Sequence, residues 1–145
     1  MRIVLQRVKR ACVSVNANIT GSIDNGILIL LGIHNSDTPK QADYLAEKCS
    51  ALRIFPDENE KMNRSLTDIG GRALVVSQFT LYGDCSHGPR PSFTEAAGAE
   101  KGQELYLYFV EKLEALVGKV ETGVFGAMMN VELVNDGPVT LILDA

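Results

Sequence analysis

The segment Val75–Phe93 reads V-V-S-Q-F-T-L-Y-G-D-C-S-H-G-P-R-P-S-F, and it joins a buried-type strand to an unusual group of polar residues. Its first residues are β-branched and apolar, which is typical of a strand inside a sheet. Ser77, Gln78 and Thr80 follow among apolar neighbours, where an unpaired hydroxyl or amide group would cost about 1–3 kcal/mol. We therefore expect these polar groups to have partners, either in a neighbouring strand or in a bound ligand.

A second unusual segment is Asn135–Thr140, which reads N-D-G-P-V-T. Here Gly137 allows unusual backbone geometry and Pro138 lacks an N–H donor, so the pair interrupts a strand-like stretch. The ordinary interpretation is a trans turn between two strands, because only about 5–6% of X-Pro bonds in folded proteins are cis. The sequence predicts a bend at this position.

Hydrophobic periodicity predicts two helices and a series of strands. Pro39–Leu52 follows Thr38 with the spacing of a capping box and with proline at the first helical position. Glu100–Val117 carries an apolar stripe and ends before Gly118. The predicted strands are Ile3–Val15, Ile19–Ile23, Ile27–Ile33, Lys119–Thr122, Asn130–Val134 and Val139–Leu143. Many strands without alternating β-α-β units indicate an α+β fold and argue against a dinucleotide-binding fold.

Bulk composition narrows the class of protein. The 145 residues fit one domain that spans residues 1–145. The longest aliphatic run, Ile27–Ile33, is far shorter than the ~20 residues of a membrane span, and the charged N-terminus differs from a signal peptide. We expect a cytoplasmic protein with no membrane partner. The three cysteines, Cys12, Cys49 and Cys85, lack metal-ligand spacing, so no metal site is expected.

Charge argues against indiscriminate nucleic-acid binding, because the formal net charge is −4. Any contact with RNA must therefore be local. One candidate basic patch comprises Arg2, Arg7, Lys9 and Arg10. Strand alternation would place Arg7 and Lys9 on one face and Arg2 and Arg10 on the other.

The chain offers few groups for acid–base catalysis. His34 and His87 are its two histidines, and the sequence places neither beside Thr80. The conspicuous carboxylates occupy turns and strand ends, where capping roles are common. What remains is a site of backbone donors and small polar side chains, which can stabilise an oxyanion while water or a substrate hydroxyl attacks.

Motifs along the whole chain resemble those of one family. They are M-R-I-V-L-Q-R-V at Met1, L-R-I-F at Leu52, K-M-N at Lys61, S-Q-F-T-L-Y-G-D at Ser77, R-P-S-F at Arg90, E-T-G-V-F-G-A-M-M at Glu121 and N-D-G-P-V-T at Asn135. In this order and spacing they resemble the D-aminoacyl-tRNA deacylase family, also called D-tyrosyl-tRNA deacylases.

The resemblance implies mainly antiparallel sheets that form a barrel-like core, with the two main helices packed on the outside. It also implies a homodimer without a cofactor that hydrolyses the ester of D-aminoacyl-tRNA, or of mischarged glycyl-tRNA, at the 3′-terminal adenosine. L-aminoacyl-tRNA would be rejected, which is chiral proofreading during translation. No DNA partner is expected.

Site residues also follow from the resemblance. The family pattern implies that the pocket around the scissile ester is formed by Ser77, Gln78, Phe79 and Thr80. Gly137-Pro138 is expected to be a cis dipeptide that enters the partner's pocket and excludes L side chains.

Support for the site is expected from three further residues. Arg7 is expected to hold the cis dipeptide, while Phe125 and Met129 shape the pocket near the terminal adenosine. The 2′-OH of the substrate is expected to take part in RNA-assisted catalysis. Two alternatives stay open, namely Thr80 as the attacking nucleophile and a non-catalytic dimer that binds RNA ends.

The chain departs from the usual family pattern at Gly83, at Met128 and in the loop Cys85-Ser86-His87, which is commonly basic. A less basic loop is expected to weaken local attraction for tRNA.

Overall fold

The computed structural model describes residues 1–145, which form eight strands, two α-helices and one 3-10 turn at Phe79–Tyr82. The elements in chain order are β1 (Arg2–Val15), β2 (Asn18–Ile23), β3 (Gly26–Gly32), α1 (Pro39–Ala51), β4 (Phe55–Pro56), β5 (Met62–Arg64), β6 (Arg72–Ser77), α2 (Ala99–Val117), β7 (Val120–Thr122) and β8 (Asn130–Asp144). Both predicted helices are confirmed to within one residue at each end. Neither helix is long and apolar enough to cross a membrane.

The main sheet is built around β1, which pairs antiparallel with β2, β3 and β8. The strand order is β2-β1-β3-β6-β7, with β8 along the other edge of β1. Parallel pairing links β3 to β6 and β6 to β7. The predicted absence of β-α-β units is therefore wrong, because α1 and α2 each cross between parallel strands. Local patterns do not reveal parallel pairing, since a crossover joins strands that are distant in sequence.

The sheet curls until its two ends meet. A Cβ atom added to Gly21 of β2 would lie 2.6 Å from the Thr122 carbonyl oxygen of β7, so only glycine allows this approach. One apolar cluster fills the inside of the curl, and a larger cluster of 21 buried residues packs beneath α1 and α2. The predicted barrel-like core with helices outside is confirmed.

The two predicted C-terminal strands form one element, β8, which a bulge interrupts. Along β1, Gln6 pairs with Thr140 and Val8 pairs with Asn135. Only Arg7 therefore lies opposite the four residues 136–139, which leave the ladder as a loop. The predicted bend is thus a bulge within one strand.

A second irregularity separates Lys9 from the ladder. Val8 pairs with Asn135 and Arg10 pairs with Val134, so Lys9 is an extra residue on β1. Val8 is buried, whereas Lys9 and Arg10 are both exposed. The bulge interrupts the regular alternation on which the predicted placement of these two cations on opposite faces depends.

The first residue is anchored by a buried ion pair. The Met1 ammonium group lies 2.6 Å from a carboxylate oxygen of Asp37, which is 4% exposed. The other oxygen of Asp37 accepts the His34 backbone N–H at 2.7 Å. Because Asp37 directly precedes the N-cap Thr38, this pair connects the start of β1 to the start of α1.

We expect Asp37→Asn to lower the free energy of unfolding by about 3–5 kcal/mol, because it leaves a buried ammonium group without its counter-charge. Asp144→Asn is the matched control, since Asp144 forms an exposed pair with Arg2 at 2.7 Å. That control should lose about 0–1 kcal/mol. Urea unfolding measures both variants, and equal losses would contradict the anchoring role of Asp37.

Candidate active site

A cavity of about 580 Å³ lies where β6 ends, beside the start of α2 and the segment that leads into β8. Its 13 lining residues are Val76, Ser77, Gln78, Phe79, Thr80, Ala97, Ala99, Phe125, Gly126, Ala127, Met128, Met129 and Val131. The structure thus brings together six residues expected from the sequence, namely Ser77, Gln78, Phe79, Thr80, Phe125 and Met129. None of the lining side chains is ionisable.

The polar side of the cavity forms where β6 turns into the 3-10 turn. Ser77 is the last residue of β6, and the Gln78 N–H donates to the Leu31 carbonyl oxygen at 2.8 Å. The Gln78 backbone N–H thus has its hydrogen-bond partner in β3. Its side-chain amide instead donates to the hydroxyl oxygen of Thr80. The first N–H groups of such a turn have no partner within it, so those of Phe79 and Thr80 are potential donors to a ligand.

No general base lies beside Thr80. The His34 ring bonds to Ser36 at 2.7 Å and to Glu95 at 2.8 Å, and neither histidine of the chain lines the cavity. His87 lies in an exposed loop. Since the Thr80 oxygen accepts from Gln78, its own proton remains available for donation. The cavity can therefore supply hydrogen-bond donors to a developing negative charge.

The apolar wall at Phe125 is held by helix α2. The Tyr106 ring tilts against the Phe125 ring at a centroid distance of 5.7 Å, and the Tyr106 hydroxyl donates to the Val75 carbonyl oxygen at 2.8 Å. Burial raises the pKa of Tyr106 to about 12, so it stays a neutral donor. A Cβ atom on Gly102 would lie 3.4 Å from the Phe125 ring, which shows how closely the helix approaches.

Glycine also makes room for Met129. A Cβ atom on Gly123 would lie 2.5 Å from the Met129 sulfur, so that sulfur occupies the space beside the glycine. At the opposite wall, the Phe79 and Phe93 rings pack edge to face at 5.1 Å. Phe79 is nevertheless 55% exposed, and Met128 is 92% exposed. Exposed apolar residues around a cavity are typical of a surface that another molecule covers.

The loop of residues 136–139 presents Gly137 and Pro138 to solvent, and the peptide bond between them is cis. The Asn135 side chain closes the base of the loop. Its oxygen accepts the Val139 N–H at 2.7 Å, and its nitrogen donates to the Val139 carbonyl oxygen at 3.2 Å. These bonds replace the backbone pairing that the bulge removes.

Arg7 fills the gap opposite the loop. Its Nε donates to the Asp136 carbonyl oxygen at 2.9 Å, and its Nη1 donates to the Ile54 carbonyl oxygen. The Asp136 carboxylate lies 3.3 Å from the same Nε. The arginine is 9% exposed and thereby links β1, the loop and the segment before β4.

The loop does not belong to the cavity of its own chain. Arg7, Gly137 and Pro138 are absent from the cavity lining. Six residue steps separate Val131, at the cavity, from Gly137, which corresponds to at most roughly 20 Å at ~3.3 Å per residue. The structure therefore brings together the pocket residues but leaves the loop apart from them.

Sequence reasoning missed the residues that support these features. Asn135 is the clamp of the loop, and asparagine before Asp-Gly is a known turn signal that could have identified it. Tyr106 lies within the predicted helix Glu100–Val117 and Phe93 within the R-P-S-F motif, and neither was expected at the site. Their contacts with Phe125 and Phe79 join distant segments, so no local pattern indicates them.

Comparison with known proteins supplies the family. Residues 4–144 match the family described as D-Tyr-tRNA(Tyr) deacylase. The D-aminoacyl-tRNA deacylase of Koribacter versatilis is 59% identical over 145 residues, covering 100% of this chain and 97% of the relative.

Two solved structures share the fold. One is named c-Myc DNA Unwinding Element Binding Protein, with a TM-score of 0.94, 38% identity and coverage of 100% of this chain and 99% of the other. The second is described as "a probable eukaryotic D-amino acid tRNA deacylase", with a TM-score of 0.86, 17% identity and coverage of 99% and 98%. At that identity the second likeness shows the fold alone. The chain is therefore an enzyme that belongs to the D-Tyr-tRNA(Tyr) deacylase family.

Proposed function

We propose that the chain works as a cytoplasmic homodimer that hydrolyses the ester of D-aminoacyl-tRNA, and of glycyl-tRNA, at the 3′-terminal adenosine. One observation carries the proposal, namely a cavity of about 580 Å³ that pairs hydrogen-bond donors with apolar walls and contains no ionisable side chain. Its volume lies within the range of small-ligand sites. The family name and the names of the relatives supply the substrate class.

The chemistry draws on the backbone and on the substrate. The N–H groups of Phe79 and Thr80 would stabilise the oxyanion that forms when water attacks the ester carbonyl carbon. The bond from that carbon to the ribose 3′-oxygen then breaks. The neighbouring 2′-OH relays a proton from the attacking water to the 3′-oxygen, which restores the neutral ribose and frees the amino acid.

Selection by handedness is assigned to Gly137-Pro138 of a second copy. Because Gly137 and Pro138 do not line the cavity of their own chain, we assign them to the cavity of another subunit. The exposed loop and the exposed apolar rim at Phe79 and Met128 support such a contact. Main-chain carbonyl groups of the loop would accept from the substrate amino group and occupy the space of an L side chain. Glycine has no side chain to exclude, so glycyl-tRNA would also react.

Two alternatives compete with this mechanism. Thr80 as a nucleophile would need a base, and no imidazole or carboxylate lines the cavity. A non-catalytic dimer that binds nucleic-acid ends is the second candidate function. Its support is the structural relative that is named as a DNA-element-binding protein.

We expect the wild-type enzyme to hydrolyse D-Tyr-tRNA and glycyl-tRNA but to leave L-Tyr-tRNA intact. Release of the amino acid is measured under identical conditions for the three substrates, with duplex DNA as a binding competitor. Equal rates on D- and L-Tyr-tRNA would contradict chiral selection. Saturable binding of tRNA without release of any amino acid would favour the non-catalytic alternative.

We expect removal of the substrate 2′-OH to slow hydrolysis by about 10²–10⁴-fold, the usual contribution of one proton-transfer group. Thr80→Ala keeps both backbone donors and should lose less than about tenfold, since those donors provide most of the oxyanion stabilisation. His34→Gln and His87→Gln are the controls, because neither histidine lines the cavity. A full loss in Thr80→Ala with a competent 2′-deoxy substrate would establish the nucleophile mechanism instead.

Subunit complementation tests the cross-subunit loop. In Gly137→Ala, the new Cβ would lie 2.8 Å from Val139 Cγ2 and 3.1 Å from Arg7 Nη2, at a φ of +140° that strains any residue with a side chain. We expect the substitution to displace the loop, so that this variant also hydrolyses L-Tyr-tRNA. Ala127→Trp fills the cavity of its own subunit and should abolish hydrolysis there.

Co-expressed heterodimers of these two variants contain one intact cavity and one intact loop, on different chains. We expect them to regain discrimination against L-Tyr-tRNA, measured after tandem-tag purification and with dimer mass confirmed by light scattering. Heterodimers that still hydrolyse L-Tyr-tRNA like Gly137→Ala would show that each loop serves its own subunit.

A further inference from the structure

We propose that Lys9 and Arg10 form a phosphate-binding site for the single-stranded 3′ end of the RNA whose terminal adenosine occupies the cavity of the other subunit. This inference rests on the proposed function, because it assumes an RNA substrate and a site shared between two copies. It adds a binding element that lies outside the cavity and outside the loop.

The bulge in β1 is the first observation that supports it. Val8 is buried inside the sheet, and regular alternation would turn Arg10 towards the same side as Val8. The extra residue Lys9 shifts the ladder, so both cations are exposed. Bulges are common beside active sites, where they redirect a side chain.

The second observation is that neither cation is neutralised within the chain. The ion pairs of the protein involve neither Lys9 nor Arg10, and neither side chain donates a hydrogen bond to the protein. The strand register places two acidic residues nearby. Glu132 pairs with Cys12, and Asp24 follows Ile23, which pairs with Ala11. The two adjacent cations thus place two uncompensated positive charges together on a protein whose net charge is −4.

The third observation is the position of the two cations relative to the loop. Arg10 pairs with Val134 on β8. Three residue steps, or at most roughly 10 Å at ~3.3 Å each, separate Val134 from Gly137. When the loop enters the cavity of the other subunit, these cations therefore come to the mouth of that cavity.

The RNA strand that would leave this mouth is negatively charged. Each nucleotide before the terminal adenosine carries one phosphate, and these phosphates must leave the cavity along its rim. Arginine binds phosphate through two parallel N–H donors, and lysine adds a compact positive charge. Two such contacts would hold the RNA strand without reading its bases.

The test compares Lys9→Ala/Arg10→Ala with the control Lys40→Ala/Lys48→Ala, which removes the same charge from exposed positions on α1. We expect KM for D-Tyr-tRNA to rise about tenfold only in the first variant. The ratio of kcat/KM for D-Tyr-tRNA to that for D-tyrosyl-adenosine, which has no phosphate, should fall by a similar factor. The slope of log(kcat/KM) against log[salt] should become shallower by about 1.4, at ~0.7 per single-strand contact.

Binding of 5′-labelled deacylated tRNA, followed by fluorescence anisotropy, keeps the inference separate from the proposed function. If the wild type binds tRNA but hydrolyses no D-Tyr-tRNA, the proposed function fails, and the binding constants of the two variants still decide this inference. Lys9→Arg/Arg10→Lys retains both charges and should bind like the wild type. Equal tRNA binding and equal salt slopes for the alanine pair and its control would overturn the inference.

Discussion

The contacts of the buried Arg7 guanidinium group hold the loop of residues 136–139 against the sheet, and the rest of the site depends on them. Its donors reach the Asp136 carbonyl oxygen in the loop and the Ile54 carbonyl oxygen in the segment before β4. Arginine reaches the two acceptors from two different nitrogens of one rigid planar group, whereas a lysine would have to reach both from a single nitrogen on a flexible chain. With Asn135 closing the loop base, the exposed Gly137-Pro138 unit is held at both of its ends. In the proposed function the loop discriminates between substrates that differ at a single stereocentre, which requires a rigid loop, and these contacts hold it in place.

In the proposed mechanism the cavity and the loop have separate roles. The cavity has donors and apolar walls but no group that titrates, so it can orient an ester and stabilise charge without transferring a proton itself. Oxyanion stabilisation of this kind depends on fixed geometry rather than on a shifted pKa. The Tyr106 hydroxyl, which donates to the Val75 carbonyl oxygen, fixes the wall at Phe125 relative to the end of β6. The same region therefore sets both the shape of the pocket and the direction of its donors.

Local sequence signals predicted some of this structure well. The capping box at Thr38 and the glycine stop at Gly118 locate the helices, because helix ends depend on neighbouring residues. The six pocket residues came from the resemblance of their motifs, since polar residues at Ser77–Thr80 are equally compatible with ordinary strand pairing. Parallel pairing and the two bulges could not be predicted, because register is set by contacts between strands that are distant in sequence. The bulge at Lys9 interrupts the alternation that the sequence predicts for Lys9 and Arg10.

The lack of any ionisable side chain in the cavity lining also bears on how the enzyme can be inhibited. Reagents that trap hydrolases usually acylate or phosphorylate a serine, threonine or cysteine that a nearby base has activated. The hydroxyls of Ser77 and Thr80 have no such base in the lining, so an electrophilic inhibitor would find no activated nucleophile to react with there. Under the proposed function, a tight binder would instead imitate the shape and hydrogen bonding of an aminoacylated adenosine.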